Sequence, residues 1–268
     1  MSGYKYLFGP VPSRRLGASL GVSPIPERTC NYSCVYCQLG RTLRMTNTRQ
    51  EFFPLEEILA EFREYLQGSI PFDVVTVVGE GEPTLYSRLG ELIAGLKKET
   101  DKPVAVITNG ALLYDAEMRR ELMEADIVLP SLDAVTEEQY RKIDRPMGSI
   151  GFAEMAEGLR QFAREYQGQL WIEIMLVDGM NDSPEDIAAF KEFLGAIDYD
   201  RVYLNTPVRP PAEGFVHTSA PERIDLAARE LGGISIDQLT SGSFFSEVED
   251  PYEAILSIAR RHPMNQFE

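Results

Sequence analysis

Histidine is nearly absent from this chain: there are two in 268 residues, His217 and His262, with one tryptophan, Trp171, and three cysteines. The histidines are far apart and in no ligand-like spacing, so a histidine-built metal site is excluded. Long apolar runs are missing as well. Nothing approaches the roughly 18 to 20 residues of a membrane-spanning helix. The opening MSGYKYLFGPVPSRR has no apolar core of the kind a signal peptide needs. A soluble, cytoplasmic protein with no membrane partner is therefore expected. Basic residues are also short, 26 against 42 acidic, for a net charge of −16. Such a surface repels nucleic-acid phosphates and argues against a nucleic-acid partner. One local exception stands out: Arg14, Arg15, Arg28, Arg41, Arg44 and Arg49 flank the cysteine segment. They form either a basic patch or a set of solvated loop arginines.

The cysteines are few but concentrated, all three falling between positions 30 and 37. An odd count leaves one thiol over, and such short loops strain a disulfide. In a reducing compartment, clustered thiols point to metal. Apolar residues make up 44% of the chain, enough for a core without covalent staples.

Strand-like apolar runs at 18–22, 72–78, 103–107, 126–129, 170–177 and 201–204 alternate with helical patterns. The helices are expected at 54–66, 87–98, 115–124, 136–143, 152–166 and 183–197. The last of them opens on the capping pattern Ser183-Pro184-Glu185-Asp186. Six strands with intervening helices imply parallel βαβ units. Further helices are read at 220–231 and 250–261, the latter with Asp250 as N-cap and Pro251 at the first helical position. The expected organisation is a barrel with an N-terminal extension over 1–210 and a mostly helical extension over 211–268. The closing residues His262 to Glu268 include apolar side chains. They read either as the start of a further helical module or as a frayed tail.

Each strand is followed by polar or glycine-rich residues: Gly79-Glu80-Gly81-Glu82-Pro83, Thr108-Asn109-Gly110, Ser131-Leu132-Asp133, Asp178-Gly179-Met180-Asn181 and Asn205-Thr206-Pro207. Any one of these could be turn chemistry alone. Five in register, with a cysteine loop after the first strand, favour a shared ligand site at the strands' carboxyl ends. The cysteine loop reads Cys30-Asn31-Tyr32-Ser33-Cys34-Val35-Tyr36-Cys37. A structural zinc would want a fourth ligand. Three thiolates suit an iron–sulfur cubane that keeps one iron open to a small molecule.

This Cys-x3-Cys-x2-Cys pattern, with the aromatic Tyr36 before its last cysteine, resembles the signature of the radical S-adenosylmethionine (SAM) superfamily. The resemblance implies a partial (β/α)6 TIM-like barrel and a 4Fe–4S cluster on Cys30, Cys34 and Cys37, with SAM on the open iron. Reductive cleavage of SAM would give a 5′-deoxyadenosyl radical that abstracts hydrogen from a substrate. It further implies that Gly79, Glu80, Gly81, Glu82 and Pro83 meet the methionyl amino group, with Tyr36 beside adenine. Asn109, Ser131 and Asp133 would contact methionyl and ribose groups, and Asp178, Asn205 and the Pro207-Val208 backbone would lie nearer the adenosyl moiety. An electron donor such as flavodoxin or ferredoxin is implied as partner. The segments FGPVPSRRLG (8–17), YCQLGR (36–41) and LNTPVRPP (204–211) resemble a family grouped with the wyosine-forming tRNA radical enzymes. Those enzymes carry additional cysteines for a second cluster, and this chain has none.

The leading reading is a radical enzyme, oxidoreductase or lyase-like, acting on a small molecule or peptide. Arg14, Arg15, Arg145 and Arg209 are its candidate anchors for an anionic substrate, although Arg145 could equally satisfy carbonyls at a helix end. Activation of a glycyl-radical partner, tRNA modification, and a non-enzymatic structural or electron-transfer metal protein are the alternatives. A glycine radical on a partner would mark the first. Failure to cleave SAM would mark the last. Trp171 reads as packing and His217 as a surface-loop residue. The pair Glu80 and Glu82 reads as cofactor binding rather than acid–base catalysis.

Overall fold

The computed structural model describes residues 4–68 and 70–236. The chain runs through β1 (Leu7–Ser13), β2 (Gly17–Val22), β3 (Thr29–Cys30), β4 (Arg44–Met45), α1 (Leu55–Leu66) and β5 (Val74–Val77). A 3-10 turn at Pro83–Leu85 leads to α2 (Leu89–Glu99), β6 (Val104–Thr108), α3 (Ala116–Leu122) and β7 (Ile127–Pro130). There follow α4 (Glu137–Ile143), α5 (Phe152–Glu165), β8 (Gln169–Met175), α6 (Pro184–Leu194), β9 (Arg201–Asn205), α7 (Pro221–Leu231) and β10 (Ile234–Ser235). The helix expected at 250–261 lies outside the described residues.

Period-two alternation assigns each strand residue a face. Val75 and Val77 of β5, Val104 and Val106 of β6, Val128 of β7, Ile172 and Ile174 of β8, and Val202 and Leu204 of β9 point outward into one large core beneath the helices. Their neighbours Val74, Ala105, Ile127, Leu129, Trp171 and Tyr203 point inward, joining Leu16 and Ile236 in a smaller cluster. Both faces are covered, which is why these strands read as nearly continuous apolar runs. The helices present matching stripes: α5 buries Met155, Ala156, Leu159, Phe162 and Ala163. Burial of Leu159 or Phe162 contributes roughly 1.5–3 kcal/mol each.

The sheet order is β1-β2-β5-β6-β7-β8-β9-β10, curled into a half-barrel whose edges are β1 and β10. The strands from β2 to β10 are parallel, and β1 is antiparallel to β2. This is the expected partial barrel, with the six parallel strands in the expected places and two further edge strands. β1 carries Pro10 and Pro12, which an edge strand tolerates because one side needs no ladder bonds. β10 pairs with β9, and α7 packs against α6. The capping box at Ser183 and Asp186 is formed, and Gly232 ends α7 in the left-handed region at φ 63°. No helix among the described residues is long and apolar enough to cross a membrane.

Candidate active site

The cysteine loop leaves β2 and is fixed at both ends. Its entry, β3, lies parallel to its exit, β4, and the Thr46 N–H donates to the Cys30 carbonyl at 3.1 Å. In between, Ser33 N–H donates to the Asp144 carbonyl at 3.1 Å and Val35 N–H to the Ile143 carbonyl at 2.9 Å, tying the loop to the end of α4. Val35 is fully buried, and Tyr32 shares a hydroxyl–hydroxyl bond with Tyr140. Packing therefore sets where the thiols point. Cys30 Sγ accepts from the Tyr32 N–H at 3.3 Å and lies 3.7 Å from Asn109 Nδ2, while Cys34 Sγ lies 3.8 Å from Asp144 Oδ1.

No disulfide joins any of the three cysteines. Burial pushes each of them up; for Cys34 the charge of Asp144 and then the thiols of Cys37 and Cys30 add to it. Among the described residues no three of His, Cys, Asp and Glu converge on a single metal ion. Three soft sulfur donors on one short loop, joined by no histidine or carboxylate on a single metal ion among the described residues, suit a cubane better than a zinc tetrahedron.

The segment after β5 packs directly on this loop. A Cβ added to Gly81 would sit 1.8 Å from the Thr29 carbonyl oxygen, so only glycine permits the approach. The Glu82 N–H donates to that same oxygen at 3.0 Å. The Glu82 side chain is buried and fully engaged. It accepts from Thr84 N–H at 3.0 Å, from the Thr84 and Thr108 hydroxyls at 2.6 Å each, and from Asn109 N–H at 2.8 Å. Burial pushes its carboxyl up, and these four donors pull the other way. Glu82 thus braces the ends of β5 and β6. Asn109 in turn holds Asn31 Oδ1 at 2.7 Å beside Cys30.

Two buried carboxyls lie behind Cys34. Asp133 accepts from the Tyr36 hydroxyl and from Met175 N–H at 2.7 Å; burial still pushes it up to about 6. Asp144 is also raised, by burial and then by Asp133. Asn181 secures this corner with bonds to the Asp133 and Met175 carbonyls, both at 2.8 Å.

Inside the half-barrel lies a cavity of about 360 Å³. The expected residues Tyr36, Cys37, Gly79, Gly81, Asn205, Val208, Arg14, Arg15 and Arg209 all line it. Glu173, in the middle of β8, enters from the floor and is ion-paired with Arg15, and Asn205 Nδ2 stands 3.4 Å from it. Burial, and then the neighbouring Arg209, bring Arg15 down to about 10. Arg209 also donates to Gln38 at 2.7 Å. A second, more open cleft, around Tyr65, Ile70 and Phe72, lies at the strands' amino ends, away from the thiols.

Other expected residues fall elsewhere. Glu80 lies beside the cavity wall, its carbonyl accepting from Arg28 N–H. Pro83 opens the 3-10 turn, and Ser131 bridges to Glu173 through the backbone. Asp178 is exposed in the turn after β8, its N–H donating to the His217 carbonyl at 3.2 Å. Arg145 is not in the cavity. It donates to Glu213 at 2.5 Å, and Arg41 grips the same carboxylate at 2.9 and 2.8 Å. Those bonds, Arg41's first, hold Glu213 down at about 2.

Sequence reasoning missed Glu173, Asp144 and Glu213. For Glu173 a signal existed: in Trp171-Ile172-Glu173-Ile174-Met175 the charge shares the face of Trp171, which is inward. Asp144 meets Cys34 across 110 positions, and no local pattern announces that.

A sequence model of the Radical SAM superfamily matches residues 25–191. A UPF0026 protein of Methanocaldococcus jannaschii is 35% identical over 270 residues, which is 97% of this chain and 83% of that protein. A protein of Brachyspira hyodysenteriae named GTPase Obg is 43% identical over 205 residues; that is 76% of this chain but only 30% of the relative, so the chain spans under a third of it. In three dimensions the chain is similar to a structure of TYW1 with a lysine-pyruvate adduct bound. The TM-score is 0.59 at 22% identity, over 80% of this chain and 72% of that one, a likeness of fold. The superfamily uses SAM and a 4Fe–4S cluster on three cysteines, which are Cys30, Cys34 and Cys37 here. This chain belongs to the radical SAM superfamily and, within it, to the UPF0026 proteins.

Proposed function

We propose that the protein is a hydrogen-abstracting enzyme, oxidoreductase or lyase-like, whose substrate is an anionic small molecule or peptide held in the half-barrel cavity. The observation that carries this reading is the shared lining: Cys37 and Tyr36 border the same cavity as Arg14, Arg15, Arg209 and Glu173. When bound, the cluster and SAM together supply one-electron cleavage of the sulfonium and removal of a substrate hydrogen atom.

The chain's own residues then divide the work. Gly79 and Gly81 leave backbone carbonyls open to an ammonium group, while Glu82 holds their loop in place. Tyr36, Asn205 and the backbone at Val208 flank the adenosyl end, and Asp133 fixes the Tyr36 hydroxyl. Arg15 and its neighbours meet carboxylate or phosphate oxygens, for which the guanidinium fork is suited. Leu16 and Ile236 line the cavity and belong to the inward apolar cluster with Trp171 and Tyr203. The net charge of −16 and the lack of cysteines for a second cluster favour this reading over tRNA.

Anaerobic reconstitution with iron and sulfide, followed by reduction, gives the test. Addition of SAM is expected to change the electron-spin spectrum of the reduced cluster. A spectrum unmoved at saturating SAM would count against the reading.

A further inference from the structure

Asn109 follows β6 directly, and both its backbone and its side chain are fixed. Its N–H donates to Glu82 Oε2 at 2.8 Å, and its Oδ1 accepts from the Ala111 N–H at 2.9 Å. An asparagine that receives the N–H two residues on closes an Asx turn, which the left-handed Gly110, at φ 75°, accommodates. This turn orients the amide. A backbone N–H can only donate, so Oδ1 must face it and Nδ2 must face the other way. There Nδ2 lies 2.7 Å from Asn31 Oδ1 and 3.7 Å from Cys30 Sγ.

The next links repeat the same polarity. Asn31 is fully buried, and its Nδ2 donates to Asn47 Oδ1 at 3.1 Å. Asn47 Nδ2 donates in turn to the Tyr114 hydroxyl at 3.4 Å. Reversing the Asn109 or Asn31 amide would set two acceptors or two donors face to face, which burial penalises. The relay therefore runs one way, from the Ala111 N–H to the Tyr114 hydroxyl, and it leaves one Asn109 N–H for the sulfur. Among the described residues Asn109 is the one side-chain N–H donor to a cysteine sulfur. Cys34, by contrast, faces the carboxyl of Asp144. With Oδ1 and both Nδ2 hydrogens engaged, Asn109 is better placed to act on Cys30 than to meet the methionyl group its motif implies.

We propose that Asn109 sets the reduction potential of the 4Fe–4S cluster through an amide N–H held on Cys30 Sγ. The Tyr32 N–H, at 3.3 Å, is a second donor on the same sulfur. The thiol proton that Cys30 directs at Asn31 Oδ1, 4.0 Å away, is lost when the sulfur binds iron, and the two N–H donors remain. A thiolate ligand carries more negative charge once the cluster has gained an electron. N–H donors therefore stabilise the reduced form more than the oxidised one and raise the potential. The substrate plays no part in this, so the role is the same whatever molecule the cavity takes.

The test is a redox titration of the reconstituted cluster without SAM, followed by the electron-spin signal of the reduced form. Asn109→Leu, close in size and without donors, is expected to lower the equilibrium constant for reduction about tenfold, which moves the midpoint about 59 mV more negative. Tyr166→Phe removes a buried hydrogen bond to the Ala125 carbonyl, before the start of β7. It is expected to titrate as the wild type although it too destabilises the fold. If Asn109→Leu does not load iron, Asn109→Ser, which withdraws the amide with a smaller side chain, is titrated in its place with the same shift expected. A midpoint unchanged or raised in the variant that loads, or one lowered equally by Tyr166→Phe, overturns the proposal. Failure of both Asn109 variants to load iron does so too, by making Asn109 a structural residue alone.

Discussion

Gly81→Ala is expected to abolish cluster loading and to cost the fold about 3 kcal/mol or more. The added methyl would meet the Thr29 carbonyl oxygen at 1.8 Å, its carbon at 2.8 Å and Ile25 Cγ2 at 2.9 Å. Two of these are backbone atoms, so no side-chain rotation relieves the clash. Thr29 immediately precedes Cys30 in β3, and any retreat of one segment from the other moves the first thiol. It also breaks the 3.0 Å bond from Glu82 N–H. Iron content after reconstitution and the thermal midpoint of the apoprotein together check this. A variant that loads iron normally and melts like the wild type would show that the two segments are not rigidly coupled.

Glu82→Ala is expected to destabilise the apoprotein by about 3–5 kcal/mol, because it strands the Asn109 N–H, the Thr84 N–H and two hydroxyls in a buried position. Glu82→Gln is expected to cost less, since one amide oxygen still accepts while the amide nitrogen faces a donor. Urea unfolding without iron or SAM measures both. The motif resemblance alone implies a different result, in which Glu82 meets the methionyl ammonium. Unfolding would then be unaffected and only SAM affinity would fall. The four bonds already on its carboxylate favour the structural role.

The contrast between Glu82 and Gly81 shows what a motif can and cannot say. The GEGEP run marks the place correctly, at the end of β5 beside the cysteine loop. Whether its glutamate faces a ligand or the protein depends on Thr108 and Asn109, which come from the next strand. The six parallel strands were legible because both of their faces are buried, giving β-branched runs with polar ends. β1 was not legible: Pro10 and Pro12 within seven residues speak against a strand, and only its place at the sheet edge lets it be one. The arginines divide in the same way. Arg14, Arg15 and Arg209 reach the cavity, whereas Arg145 is held outside by Glu213, a residue 68 positions away. Composition identifies arginines as anion binders; the fold decides which of them face a site.

The central claim is that the three thiols and the cavity that Cys37 borders form a single radical SAM site. The most direct measurement is 5′-deoxyadenosine released from SAM by the anaerobically reconstituted, dithionite-reduced protein, set beside the Cys34→Ala variant. The account predicts release by the wild type and none by the variant. Release that persists in the variant would contradict it. So would none from a wild type whose reduced cluster is intact and whose spectrum does not respond to SAM.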